Sequence, residues 1–478
     1  MPELSLTVEV LIVKAYVALM LLTLITLIPM WRRYFTTARW DGYIESTPLR
    51  DRLYSPLTAW ILLAVWTASL LAMWMNAAGP WAALLNAAIC YHFFIRQRWC
   101  SLLRGMGAPG FMSWWIAMAI LGLQLSNHFA TNLRGLVVLA FQVDFALIMF
   151  SAGFYKLTAG YLQNHGMEVG MVNPMWGYAS RFFARFSPNH GLFWFLNQMA
   201  WSTEIVASIL MLIPNPMTRI LGAAMIAGSF VFVGTQIRLN LLTEMVILSC
   251  AIFIPANGWL DQHLTGWVST TSPAAVNGLG EPWLAVFQVL LWAYIVLRPM
   301  TLLGLYYNFY VQKTFWRPLQ KALEKWANTF GIILWRVFTQ EVTNFYIRIQ
   351  REGETAALSH YTNPFNWRFN NVAEAIAVAT LFTTKKYFAS NKNLFLDRLR
   401  RYARTLSGEK FEFTYVSILK EGSRFVEREV IRYHVNAKTG EVQESVLSSE
   451  LAARFGQSTT AAKNCAIPGS YAPVPATN

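Results

Sequence analysis

Long apolar runs joined by short polar connections make up the first two thirds of this chain, and short alternating runs make up the last third. Runs of about 17–25 apolar residues match the hydrocarbon thickness of a bilayer. Nine such runs fall at about 7–31, 56–77, 80–96, 111–128, 135–156, 192–213, 217–235, 239–256 and 283–307. Pro80, Pro109, Pro214, Pro216 and Pro282 lie in the connections, where a missing backbone donor costs little. The pattern predicts an all-α polytopic membrane bundle over residues 1–310. The N-terminus lacks the basic segment of a cleaved signal peptide, so the first run is read as a retained helix.

Beyond the bundle the periodicity changes. Residues 311–340 interleave cations with Trp and Phe, as an interfacial helix or the first core helix of the next module does. Residues 341–455 read as a small α+β domain. Val342–Ile349, Phe411–Leu419 and Arg424–Val435 alternate as strands, whereas Asn371–Thr384 and Leu394–Thr405 have helical spacing. Asn436-Ala-Lys-Thr-Gly440 is a turn before Val442, and residues 456–478 are a low-complexity tail expected to be disordered.

Charge refines this division. Residues 1–310 carry 16 Lys+Arg and 11 Asp+Glu, against 23 and 14 in 311–478. The net charge of +14 suits anionic lipid headgroups, and no basic stripe interleaved with aromatics suggests nucleic acid. Arginines gather in alternate loops: Arg32, Arg33, Arg39, Arg50 and Arg52, then Arg98 and Arg104, then Arg181 and Arg185, with Arg238 on the same side. The opposite loops hold Arg134 and Arg219. The positive-inside rule places the N-terminus outside and the 311–478 module in the cytoplasm. Cys90, Cys100, Cys250 and Cys465 lack metal-type spacing, so neither a structural disulfide nor a metal site is expected.

Five ionisable residues stand out inside the predicted spans: Lys14, Asp144, Lys156, Glu204 and Glu244. Each is costly in hydrocarbon and so is a candidate for function, with snorkelling or structural pairing as the alternative. Lys14 is close enough to its helix end to snorkel. Asp144 and Lys156 are twelve residues apart, roughly 18 Å along one helix, and cannot pair directly. Glu204 has no opposite charge nearby in sequence, so its partner must come from another helix, and Lys156 is a candidate. Glu244 is read as half of an interhelical pair. His165 follows the Lys156 helix in a polar loop and is either a catalyst or an ordinary loop histidine.

The segment Met149-Phe-Ser-Ala-Gly-Phe-Tyr-Lys-Leu-Thr-Ala-Gly-Tyr-Leu-Gln-Asn-His-Gly166 resembles a motif of the vitamin K-dependent gamma-carboxylase-like family, whose bacterial members are HTTM-domain proteins. Glu204 in the next span, the Pro214–Arg219 turn, two further spans and a soluble appendix agree with it, as does the Gly105–Gly110 turn. The resemblance covers about residues 5–307. It implies a bacterial inner or plasma membrane protein with a lipid-soluble quinone or hydroquinone. Lys156 would be its general base; beside it, Glu204 and His165 are candidate catalytic groups and Tyr155, Asp144 and Glu244 candidate cofactor contacts by their positions in the chain. The chain departs from the motif at Ala159-Gly-Tyr161, where the family has an acid and a Trp, and at Thr235–Asn240, where members often carry a histidine. The family places its active site and C-terminal region on the non-cytoplasmic side, against the loop charges here. Three functions follow: a non-catalytic scaffold or accessory subunit that recruits a protein partner through 311–478, a carboxylase-like enzyme, and a quinone-linked oxidoreductase subunit.

Overall fold

Apolar helices pack side by side to form the first part of the protein, and a four-stranded sheet caps one end of the stack. The computed structural model describes residues 2–97, 101–102, 107–265, 280–334, 343–354, 377–383 and 392–456. The bundle helices are α1 Leu6–Leu27, α2 Pro56–Trp74, α3 Pro80–Cys90, α4 Gly107–Phe129, α5 Arg134–Thr158, α6 Gly191–Leu212, α7 Pro216–Gln236, α8 Leu242–Cys250 and α9 Glu281–Tyr306. A further helix, α10, spans Arg317–Thr329 and packs on α9.

Among the described residues, six stretches are long and apolar enough to cross a membrane: Leu6–Phe35, Pro56–Trp74, Gly107–Phe129, Thr131–Thr158, Pro216–Gln236 and Glu281–Val311. The expected nine spans are therefore six by this standard. Each of the other three falls short for a local reason. The α3 helix closes at Cys90 and widens into a π-turn over Tyr91–Arg96. The α8 helix starts late, after Asn240 takes a left-handed φ of 56°, and is extended only by a 3-10 turn, Ala251–Phe253. The α6 helix has 22 residues, but Asn197, Gln198, Ser202, Thr203 and Glu204 dilute its hydropathy.

One stripe of α1 (Val8, Ile12, Tyr16, Met20, Leu24) is buried at helical spacing. A polar chain crosses the core there: Trp66 Nε1 donates to Asn86 Oδ1 at 2.9 Å, and Asn86 Nδ2 donates to the Tyr16 hydroxyl at 3.0 Å. This joins α1, α2 and α3 with each polar group satisfied, as burial in a low-dielectric core requires. Cys90 is buried beside Tyr16, and Cys90 and Cys250 are both free thiols.

The arginine-bearing loops meet at one end of the bundle. Leu102 N donates to Tyr43 O at 3.1 Å, and Arg238 N to Trp176 O at 2.8 Å. At the other end Ala256 N donates to Glu3 O at 3.0 Å, Ser5 bonds Asp261, and Arg134 pairs with Glu9 at 2.6 Å.

The C-terminal module is an antiparallel meander of β1 Phe345–Arg351, β2 Lys410–Glu421, β3 Arg424–Asn436 and β4 Val442–Val446, in that order. A register shift at Tyr415/Val416 marks a bulge between β2 and β3. Helix α11, Lys392–Arg404, and residues 377–383 cover one face, with Phe382 edge-on to Phe395 at 5.3 Å. Helix α12, Ser449–Gly456, follows β4, and the predicted 456–478 tail lies almost wholly outside the described residues. Asn371–Thr384 is described only over 377–383, where it is helical as expected.

The module docks on the arginine-rich end. Arg398 Nη2 reaches Glu45 Oε1 at 3.0 Å, Arg33 donates to Thr405 O, and the Phe193 and Phe425 rings meet at 6.0 Å. Fully buried Asn173 donates through Nδ2 to Thr343 O at 2.6 Å and Phe345 O at 2.7 Å, pinning the start of β1 to the bundle. Asn173→Ala would leave both carbonyls buried without that donor, at a cost of about 1–3 kcal/mol. The expected outcome is faster amide hydrogen exchange over Phe345–Arg351, with β2–β3 pairing unchanged.

Candidate functional site

Helix α5 lies between α6 and α9, and its close approach to α6 creates the site. A Cβ on Gly153 would come within 2.8 Å of Ile205 Cγ1, 2.9 Å of Trp201 O and 3.0 Å of Glu204 Cβ. Only glycine permits this crossing, as small residues do at membrane helix contacts. One turn later, Lys156 Nζ bonds Glu204 Oε1, so the two charges meet beside the point of closest approach. Both residues are buried, at 7% and 3% exposure. Glu204 Oε2 is buried with no hydrogen-bond partner among the described residues.

The opposite side of α5 is closed by the π-turn Tyr307–Val311 that continues α9. Tyr155 packs against Phe309 with ring centroids 5.9 Å apart, and Thr158 Oγ1 lies 2.5 Å from the Tyr310 hydroxyl. Consecutive helical residues point about 100° apart, so Tyr155 faces α9 while Lys156 faces α6.

A second polar cluster lies just beyond, at the seam with the C-terminal sheet. Glu168 is fully buried in the short helix Met167–Val172 and accepts from Gly166 N at 2.9 Å and Asn197 Nδ2 at 2.7 Å. Lys420 of β2 completes it, reaching Glu168 Oε1 at 2.5 Å, Asn164 O at 2.7 Å and His165 Nδ1 at 2.9 Å. Buried Tyr161 links the clusters: burial first, then the carboxylates of Glu168 and Glu204 and the Tyr155 phenol, hold its hydroxyl well above the usual phenol range. Burial and the Lys420 cation push His165 below its ordinary value, with Glu168 opposing.

The candidate residues thus divide into groups. Lys156 and Glu204 are brought together, and Tyr155 sits beside them on the other helix face. His165 belongs to the seam cluster with Lys420. Asp144 accepts from Trp115 Nε1 at 2.9 Å and Tyr294 OH at 3.1 Å and pairs with Arg298 of α9, deep in the bundle. Glu244 occupies the first turn of α8, which packs on α7, α4 and α1. Lys14 carries its ammonium over the Trp74 ring, 5.9 Å from the centroid.

The sequence reading missed Glu9, Arg298, Glu168, Asn197 and Lys420. Arg298 and Glu9 carried the same signal as the five residues singled out, a charge inside an apolar run. Glu168 stands within the apolar stretch Met167-Glu-Val-Gly-Met-Val172, a local signal of burial that the sequence carried. Asn197 and Lys420 gave no local signal, since their roles depend on packing between distant segments.

An amine acts as a base only when neutral, and a carboxylate in contact stabilises the ammonium. The Lys156–Glu204 arrangement is thus that of a buried ion pair with one spare carboxylate acceptor. Among the described residues no group of three His, Cys, Asp or Glu could hold a metal ion. Set against family models, curated proteins and solved structures, the chain matches none.

Removing one member of a buried pair leaves an uncompensated charge, costing about 3–5 kcal/mol. Lys156→Met and Glu204→Leu should each lower the unfolding temperature in detergent, and the double variant should recover much of the loss. Additive losses across that cycle would refute the coupling. Because His165 is shifted down while facing Lys420 and Glu168, the folded seam binds fewer protons than the unfolded chain. Its contribution is present above 6.5 and is lost as the pH falls toward the depressed value. The protection of β2 amides, taken relative to the intrinsic exchange rate at each pH, should therefore fall on acidification below 6.5 in the parent. The fall should be smaller in His165→Asn.

Proposed function

We propose that this protein is a polytopic membrane scaffold of the carboxylase-like class, holding its C-terminal α+β module on the cytoplasmic face of a bacterial inner or plasma membrane for a protein partner. The observation that carries this reading is the engagement of Lys156. The residue to which the family resemblance assigns the chemistry is half of a buried ion pair at a tight helix crossing, next to the seam that fixes the module. A pair so placed serves to lock α5 to α6. The arginine-rich loops and the module share one end of the bundle, and the positive-inside rule makes that end cytoplasmic. In this reading the chain passes the bilayer nine times, with α3, α6 and α8 as passes sheltered by their neighbours.

One observation favours a second reading, an enzyme using a lipid-soluble hydroquinone for carboxylation or oxidation. The spare Glu204 Oε2 is a buried acceptor that a hydroquinone hydroxyl would satisfy, and Tyr155 and Tyr161 supply aromatic surface nearby. Asp144 fits such a role poorly, because Trp115, Tyr294 and Arg298 already occupy it. His165 also fits poorly, being held by Lys420.

Purified full-length protein in lipid nanodiscs, assayed for quinol consumption and CO2 incorporation, separates the two. The scaffold reading expects background rates in the parent and in Lys156→Ala alike. A parent rate above background that disappears in Lys156→Ala but persists in Asn173→Ala would overturn it in favour of the enzyme.

A further inference from the structure

The bundle end opposite the C-terminal module contains a crevice of about 280 Å³ between α1, the α2–α3 turn and the end of α4. Its charges do not cancel. Glu9 is satisfied within the protein, by Arg134 at 2.6 Å and by Asn127 Nδ2 at 2.8 and 2.9 Å. Lys14 lines the same crevice, lies roughly 12 Å along α1 from its first residue, and makes no ion pair among the described residues; its one close partner is the Trp74 ring. With Glu9 and Arg134 offsetting each other, one positive charge remains at membrane depth, where an unpaired charge is costly. Gln124 adds a second unmet demand, because its Oε1 is buried without a donor among the described residues.

The remaining walls are mixed, with His128 and Asn76 on the polar side and an apolar side that continues to the surface. Val10, Val13 and Met73 line the interior, while Trp74 and Met75 at the rim are 46% and 68% exposed, continuous with the exposed face of α2. The rim turn is strained: Asn76, Ala78 and Gly79 have φ of 53°, 63° and 52°, and an alanine in that region is uncommon. Such strain persists where the surroundings hold it in place.

We propose that this crevice binds the headgroup of an anionic phospholipid from the leaflet facing away from the C-terminal module. The phosphate pairs with the Lys14 ammonium, a headgroup hydroxyl donates to Gln124 Oε1, and the first acyl carbons lie against Val13 and Met73. The hydroxyl requirement favours a glycerol headgroup over choline, which has no donor.

The test is native mass spectrometry of the full chain released from nanodiscs holding equal phosphatidylglycerol and phosphatidylcholine. Phosphatidylcholine has the same phosphate but would set its trimethylammonium beside the Lys14 cation and offers no hydroxyl to Gln124, so the parent should retain phosphatidylglycerol about tenfold over it, about 1.4 kcal/mol. Lys14→Met, a substitution that suits a lipid environment, should lower retention of phosphatidylglycerol and shrink the preference, Lys14→Arg should keep both, and Gln124→Leu should shrink the preference. Equal ratios in the parent and Lys14→Met overturn the proposal. Binding of soluble glycerol phosphate to protein in pure phosphatidylcholine discs as tight as that of the lipid would also overturn it, by showing that the apolar wall plays no part.

Discussion

The bundle depends on how one helix disposes of its polar side chains. Helix α5 carries Gln142, Asp144 and Lys156 into an apolar environment, and each finds its partner on a different neighbour. Gln142 Oε1 accepts from Arg219 of α7 at 2.9 Å, while its Nε2 donates to Ile252 O at 2.9 Å. Asp144 pairs with Arg298 of α9, and Lys156 with Glu204 of α6. Lipid tails are as apolar as leucine, so burial of hydrocarbon gives these helices little reason to prefer one neighbour over another. Unsatisfied polar groups do, because each costs several kcal/mol without its partner. The neighbours of α5 are in this sense selected by charge and hydrogen bonding.

This requirement also explains the composition of α6. The helix that answers Lys156 must carry an acid, and the segment that answers Glu168 must carry Asn197. These side chains, with Gln198, Ser202 and Thr203, lower its hydropathy below that of an ordinary span. Glycine at position 153 adds the geometric half, letting the two backbones approach until Lys156 and Glu204 are in contact. A glycine within a helix is less favourable than alanine by about 0.5–1 kcal/mol. The crossing is maintained because the contacts it permits outweigh that penalty.

Much of this was readable from sequence where the signal was local. The strands around Phe411–Leu419 and Arg424–Val435, the Asn436–Gly440 turn and the helix over Leu394–Thr405 appear with boundaries shifted by a few residues. The long apolar helices were visible from run length, and Lys156 as a candidate partner of Glu204 from the need for an opposite charge on another helix. What was not legible needed three dimensions. Shortening of α3 and α8 reflects a π-turn and a left-handed Asn240, neither of which alters the apolar run. Lys420 and Glu168 are 252 residues apart, and nothing in either neighbourhood names the other.

The two polar clusters on either side of Tyr161 are the means by which the bundle and the C-terminal sheet constrain one another. Lys156 ends α5, and the turn that follows, through Gly160 with its φ of 106°, places Tyr161 under Asn197 and Glu168 within a few residues. Asn197 sits two helical turns before Glu204 on α6, so one helix supplies both an acceptor for Lys156 and a donor for Glu168. Rotation of α6 about its axis would disturb both contacts together, and with them the Lys420 contact on β2. The module is therefore seated on the same helix whose position the Lys156–Glu204 pair fixes. A change at the helix crossing reaches the sheet through Asn197, Glu168 and Lys420, each in direct contact with the next.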